Sequence, residues 1–314
     1  MVAPSSASFL RPDLGEAFEE FIPDGYVGLR VYPGFQTALQ TANFSVIPVE
    51  QLLQQRSTIR APGAGYSRST FTFEQDNYVC EEYGAEEPVG DRERAIYAYS
   101  FDIERVAAQR AVGAVMRELE SQVATQINDT GTFTNGAATA VWSNNSSGRP
   151  IDDVITGINS VRATSGLIAN TVVIDIDLFR DLSTSDQIID RMKYQWGGAG
   201  DPREVTEKSL AMAFGVDQVI IARASTNSAA QGATPSLGAI FNNTQCWVGR
   251  ITGGGDLKDP GAGRVFLNTN DGAGTLSVEQ YRDEPMRADI IRARLDFDVK
   301  TIYSAAGYIV TGCA

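Results

Sequence analysis

The sequence contains no histidine. That single absence excludes Ser-His-Asp and Cys-His catalysis, imidazole metal ligation and histidine-based pH sensing. Cysteine is nearly as scarce: Cys80, Cys246 and Cys313 lie far apart, with no CxxC and no metal-type spacing. An odd, sparse set fits a reducing compartment better than a disulfide scaffold. No run of about 18 apolar residues occurs, so no membrane span is expected. Met1 to Leu10 lacks the basic and apolar regions of a signal peptide. Basic residues are in deficit too, with 26 Lys and Arg against 39 Asp and Glu and a net charge of −13. Gripping nucleic acid requires a basic footprint that neutralises phosphates, so tight DNA or RNA binding is disfavoured.

What remains is an ordinary globular balance, 43% hydrophobic and 21% charged over 314 residues. That length accommodates about two domains or one elaborated domain. Chemistry is hard to find in it. Gly63-Ala64-Gly65 and Gly261-Ala262-Gly263 lack the flanking strand and helix of a dinucleotide fingerprint, and neither a GxxxxGK[ST] nor a GxSxG motif is present. Asp175 and Asp177 have the carboxylates to hold Mg²⁺, but the simpler reading makes Asp177 a helix cap and Asp175 a strand-end residue. No spacing singles out a carboxylate pair of the glycosidase type. Trp142, Trp196 and Trp247 are too dispersed for a stacking platform and read as core or loop anchors. No cofactor, metal or catalytic residue is expected.

Residues 1–56 form an arm with a few short elements, broken by Pro23, Gly25, Gly28, Pro33 and Gly34. Residues 57–100 read as a long two-stranded hairpin, outgoing through Thr70-Phe71-Thr72-Phe73 and returning through Tyr97-Ala98-Tyr99. Charge is segregated along it. Arg56, Arg60 and Arg68 stand on an acid-free leg, and Glu74, Asp76, Glu81, Glu82, Glu86, Glu87, Asp91 and Glu93 follow against Arg92 alone. The pattern fits a solvated, acidic surface hairpin or an adhesive flap whose charged legs meet a neighbour. An isolated hairpin is marginal in water, which favours the flap if the hairpin is ordered. Residues 102–127 predict a helix of roughly 39 Å, begun by Asp102, with apolar residues at three- and four-residue steps. From about 150 the pattern turns α/β. Helices are expected at 152–163, 177–182, 185–193 and 203–214, and strands at 171–176, 216–222 and 246–248. Finally Ile291, Ala293, Leu295, Phe297 and Val299 alternate with Arg292, Arg294, Asp296, Asp298 and Lys300, a strand with one apolar and one charged face. The extended run is expected to continue through 302–310.

The order of these parts resembles the tailed-bacteriophage major capsid proteins, whose fold is named after phage Hong Kong ninety-seven. The resemblance covers about residues 10–314. It is carried by the acidic hairpin ending in Arg94–Ile103, the long helix with Arg110 and Glu118-Leu119-Glu120, and Ile151–Ile155. Asn170–Asp175, Thr206–Ala211, Val216–Arg223 and Ile290–Gly307 complete it. It implies an α+β phage major capsid fold: an N-arm (1–56), an E-loop (57–100), a P-domain with its spine helix (101–149), an A-domain (150–280) and a return to the P-domain sheet (281–314).

The same resemblance implies a structural subunit and not an enzyme. Many copies, as pentamers and hexamers, self-assemble into an icosahedral virion capsid around double-stranded DNA that is bound without sequence specificity, in the host cytoplasm. Expected partners are a decoration or cement protein, a portal and a separate scaffold; no membrane is involved. Expected inter-subunit contacts are Arg56, Arg60, Arg68, Glu74, Glu81, Glu82, Glu86, Glu87, Arg292 and Arg294. Some members of the family weld the E-loop to a neighbour through a Lys–Asn bond. No lysine precedes Lys193 here, so a shell without that cross-link is expected, as is a chain with no cleaved leader. The alternatives are a non-viral compartment shell of the same fold and a carboxylate-dependent α/β enzyme.

Overall fold

The computed structural model describes residues 9–10, 25–46, 72–97, 102–195, 205–230, 232–253, 259–269 and 276–314, with positions 48, 51, 53–56, 58–60, 62–68 and 70 between them. Its first elements are β1 (Phe9–Leu10), α1 (Gly28–Val31), β2 (Gly34–Thr37), β3 (Thr41–Val46), β4 (Glu74–Val79), β5 (Glu81–Gly90) and α2 (Asp91–Tyr97). Then come α3 (Ile103–Ile127), β6 (Thr134–Ala137), α4 (Pro150–Ser165), β7 (Thr171–Asp175), α5 (Ile176–Thr184), α6 (Asp186–Gln195) and α7 (Glu207–Phe214). The rest is sheet: β8 (Gln218–Ala222), β9 (Ser225–Asn227), β10 (Leu237–Ala239), β11 (Gln245–Gly249), β12 (Gly263–Asn268), β13 (Ser277–Asp283), β14 (Ala288–Thr301) and β15 (Gly307–Thr311).

The long helix α3 starts where Asp102 accepts the Glu104 and Arg105 N–H groups at 3.1 and 3.3 Å, an N-cap that satisfies two otherwise unpaired donors. Small side chains (Ala107, Ala108, Ala111) and larger ones (Val112, Val115, Leu119, Val123, Ile127) line its buried stripe. That stripe lies on the apolar face of β14, formed by Ile291, Ala293, Leu295, Phe297 and Val299. Burying one such large aliphatic side chain is worth about 1.5–3 kcal/mol. The 14-residue strand β14 organises a six-stranded sheet. Its residues 288–297 pair antiparallel with β5. The opposite edge is shared in sequence by β13, at 288–294, and β12, at 297–301. Strand β2 adds parallel to β12, and β1 closes the far side of β13.

The second sheet runs β6-β15-β11-β7-β8. Alternation along β11 divides two cores. Trp247 points toward the α3 side with Val173, Ile220 and Ile309. Cys246 and Val248 point toward a layer with Val154 and Val161 of α4, Leu178 and Leu182 of α5, and Leu210 and Phe214 of α7. Helix α7 carries a capping box between Thr206 and Ser209 and ends at Gly215 in the left-handed conformation, φ 75°. Pro150 occupies the first turn of α4, where its missing N–H costs nothing.

Several local expectations need correction. Strands β4 and β5 do not pair with each other as a hairpin. β4 pairs with β3 of the preceding segment, and β5 joins β14. The period-two burial of Tyr83, Ala85, Glu87 and Val89 was hidden among glutamates, and the apolar members of that row face the α3 core. Tyr97 ends a helix, while Thr70, Thr72 and Phe73 lie outside any strand; Phe71, Ala98 and Tyr99 are outside the described residues. The final run is not continuous. A short 3-10 turn at Ser304–Ala306 breaks it and carries the chain from β14 in one sheet to β15 in the other. The helix expected at 203–214 begins at Glu207, with residues 203 and 204 outside the described set.

Candidate subunit interface

The outer face of the six-stranded sheet carries ionic groups because β14 alternates strictly. With Ile291, Ala293 and Leu295 against α3, Arg292 and Arg294 must point the other way. Register places Arg292 between Glu86 of β5 and Glu279 of β13. Its guanidinium donates to Glu279 Oε2 at 2.5 Å and stands 3.7 Å from Glu86 and 5.6 Å from the Tyr281 ring centre. Arg294 reaches the other Glu279 oxygen at 3.1 Å and Ser277 Oγ at 3.1 Å, with Glu82 at 3.9 Å. Tyr281 donates its hydroxyl to Glu86 at 3.1 Å. Burial pushes the Glu279 carboxyl up, but its hydrogen bond from Arg292 and the charges of Arg294 and Arg292 outweigh it and hold the group below its ordinary range.

A second cluster joins α2 to this face. Arg282 makes two bonds to the Asp91 carboxylate, at 2.6 and 2.7 Å, and a third to Asp289 at 3.3 Å. Arg94 links Asp289 at 2.5 Å to Glu104, the first acidic residue of α3, at 2.6 Å. Glu87 lies on the inner row and meets Arg110 of α3 at 3.3 Å.

The structure thus brings Glu82, Glu86, Arg292 and Arg294 together around Glu279 within one chain, while Glu87 stands on the opposite face of the sheet against Arg110. Sequence reading missed Glu279 because nothing in its local pattern announces the two arginines of β14. The remaining candidates lie elsewhere. Glu74 begins β4 opposite Val46, and Glu81 accepts the Tyr83 hydroxyl at 3.2 Å; both are exposed. Arg56, Arg60 and Arg68 stand on a stretch where every described residue from 53 to 75 is exposed. Within it Ile59 is 92% and Tyr66 73% solvent-accessible. Arg60 shapes that loop, donating from Nε to the Ala64 carbonyl at 2.6 Å and lying 4.7 Å over the Tyr66 ring.

The residues considered for chemistry are accounted for structurally. Asp175, not Asp177, is the cap of α5, accepting the Asp177 N–H at 3.0 Å as β7 ends. Burial raises the Asp175 carboxyl, which is 1% exposed at the end of β7. Trp142 and Trp247 are core residues, and Trp142 Nε1 donates to the buried Asp153 at 2.9 Å; Trp196 lies outside the described residues. All three cysteines are buried and unpaired. Burial, helped by Asp298 and Asp296, pushes the Cys80 thiol up to about 11. Among the described residues no group of three His, Cys, Asp or Glu side chains is placed to hold a metal ion, and no helix is long and apolar enough to cross a membrane.

No family model and no curated protein matches the chain. Solved structures do. A phage-related protein of Bordetella bronchiseptica RB50 superposes with a TM-score of 0.72 at 18% identity, covering 98% of each chain. A virus-like particle from Pyrococcus furiosus gives 0.58 at 12% identity, over 95% of this chain and 98% of that one. The capsid of the cyanophage P-SCSP1u gives 0.58 at 12% identity, over 90% and 86%. The chain has the phage capsid fold. Its mixture of helices and sheets agrees with the α+β expectation.

Proposed function

We propose that this protein is the structural subunit of a viral icosahedral capsid, a major head protein without catalytic activity. The reading is carried by the capsid fold over the length of the chain together with the loop at 53–73. That loop holds Ile59, Tyr66, Leu53 and Phe73 in solvent, an arrangement a solitary subunit gains nothing from. Laid on a neighbour, these side chains bury apolar area, and Arg56, Arg60 and Arg68 meet the acidic surface of a copy carrying −13. In this assignment 1–56 is the N-arm, 57–100 the E-loop, 101–149 and 281–314 the P-domain, and 150–280 the A-domain.

Copies assemble as pentamers and hexamers and enclose double-stranded DNA, which an acidic subunit does not bind tightly. A portal, a separate scaffold and a cement protein complete the set of partners, and assembly takes place in the host cytoplasm. Expression of the full chain followed by negative-stain microscopy and nuclease protection tests this: closed shells support it, and a monomer at every concentration overturns it. The Pyrococcus virus-like particle favours one alternative, a compartment shell of the same fold. Shells purified from the native source that contain enzyme cargo in place of nuclease-resistant DNA would select it.

A further inference from the structure

Helix α3 buries one stripe against β14, and another of its faces borders a groove. Val106, Arg110 and Arg117, spaced to share a face of the helix, line a groove of about 410 Å³ with Tyr26, Met116 and Glu87. Val106 is 38% accessible, and Tyr26 and Met116 are half-buried. Both arginines are exposed. Glu87 meets Arg110 at 3.3 Å, whereas Arg117 has no acidic partner among the described residues. The groove therefore combines apolar side chains with an unbalanced cation, on a chain whose net charge is −13.

An acidic segment carrying aromatic side chains fits that chemistry, and the chain holds one within reach. Residues 12–24 lie outside the described set, between Leu10 and Gly25. Their sequence contains Asp13, Glu16, Glu19, Glu20 and Asp24 and no base, with Phe18, Phe21 and Ile22 among them. Both anchors are fixed. Leu10 sits on β1, which β13 and β14 separate from β5 and its Glu87. Three strand spacings across that sheet amount to about 14 Å, and the chain from Leu10 to Glu16 extends to roughly 20 Å. Ile22 precedes Gly25 by three residues, a reach of about 10 Å, and the next residue, Tyr26, lines the groove. A tether this short keeps the segment at high effective concentration. We infer that residues 16–22 of the same chain occupy this groove, with Phe18 and Phe21 against Val106 and Met116 and the glutamates facing Arg117. The inference concerns a single chain and stands apart from the shell reading.

The test places the photo-reactive residue p-benzoylphenylalanine at Gln109, which borders the same groove, in full-length protein. Light and heavy-nitrogen chains are mixed before irradiation, and mass spectrometry maps the cross-links. They should fall on residues 16–22 and join chains of one isotope only. Phe18→Ser with Phe21→Ser, and separately Arg117→Glu, should each lower the yield about tenfold, while Arg117→Lys should keep it. Without the cross-linker, the same two losses should speed glutamyl-endopeptidase cleavage after Glu16, Glu19 and Glu20 by a similar factor. Unchanged circular dichroism melts verify that α3 stays folded. Cross-links elsewhere in the chain, or unchanged cleavage in Arg117→Glu, overturn the inference. So do mixed-isotope cross-links, which give the groove to a neighbouring copy. Duplex DNA bound by wild type and released by Arg117→Glu, with no cross-link to 16–22, overturns it in favour of a nucleic acid.

Discussion

Glu120 Oε2 accepts the Gly28 N–H at 2.6 Å, while its other oxygen accepts the Val27 N–H at 2.8 Å. A carboxylate in the middle of α3, 1% exposed, therefore caps the short helix α1 from 92 residues away. This contact fastens the start of the described N-terminal segment to the long helix. It also explains Gly28, since a Cβ there would stand 2.7 Å from Glu120 Oε2.

Glu120→Ala leaves two buried N–H groups without acceptors and should cost about 1–3 kcal/mol per unpaired donor. Urea denaturation measures it. Burial raises the Glu120 carboxyl above its ordinary value, and the two backbone bonds only partly oppose this. The native state therefore holds that proton more tightly than the unfolded chain does. Its contribution is complete below the ordinary carboxylate pKa and declines as pH rises through the raised value. Wild-type stability should show this decline as pH rises above the ordinary carboxylate range, and Glu120→Ala should not.

Glu279 behaves in the opposite sense. Its lowered pKa means that its contribution is present above the ordinary carboxylate value and is lost as pH falls through the depressed one. Glu279→Gln should weaken the protein at neutral pH by about 1.5–3 kcal/mol, because Arg292 and Arg294 lose the shared charge and one of its two acceptor oxygens becomes a donor. The variant should also show a shallower stability loss during acid titration followed by fluorescence.

The exposed loop should separate assembly from folding. Ile59→Ser with Tyr66→Ser should leave the unfolding free energy of the dispersed subunit within about 0.5 kcal/mol of wild type, as surface changes do. Sedimentation should show a large loss of assembled particles. Equal assembly by the double variant would remove this loop from the interface.

Particles boiled in denaturant should run as a single monomer band. With lysine confined to Lys193, Lys208, Lys258 and Lys300, the stretch 57–100 cannot supply the amine of a Lys–Asn weld. Covalent ladders would contradict this.

Backbone contacts make a further prediction. A Cβ at Gly263 would lie 2.4 Å from the Tyr32 ring and 2.7 Å from the Lys300 carbonyl. Neither the packed ring nor the β12–β14 ladder can move far, so Gly263→Ala should destabilise by about 1–3 kcal/mol, measured by thermal melting.

The helix α3 and strand β14 were readable from sequence because their signals are local. Apolar residues recur every three or four positions from Ile103 to Ile127, and every second position from Ile291 to Val299. Asp102 announced its cap within three residues of its partners. The absence of histidine also excluded, before any fold was considered, chemistry that needs an imidazole. The partners of each strand were another matter. Nothing near Glu74 tells it to seek Thr41–Val46 instead of its own neighbour, and nothing near Glu279 announces Arg292 and Arg294. Those pairings follow from which faces α3 must cover and from the shared edge of β14. Such contacts between distant segments, like Glu120 on Val27 and Gly28, are decided by the packed whole, since the energy that selects them appears only when all the surfaces are buried together.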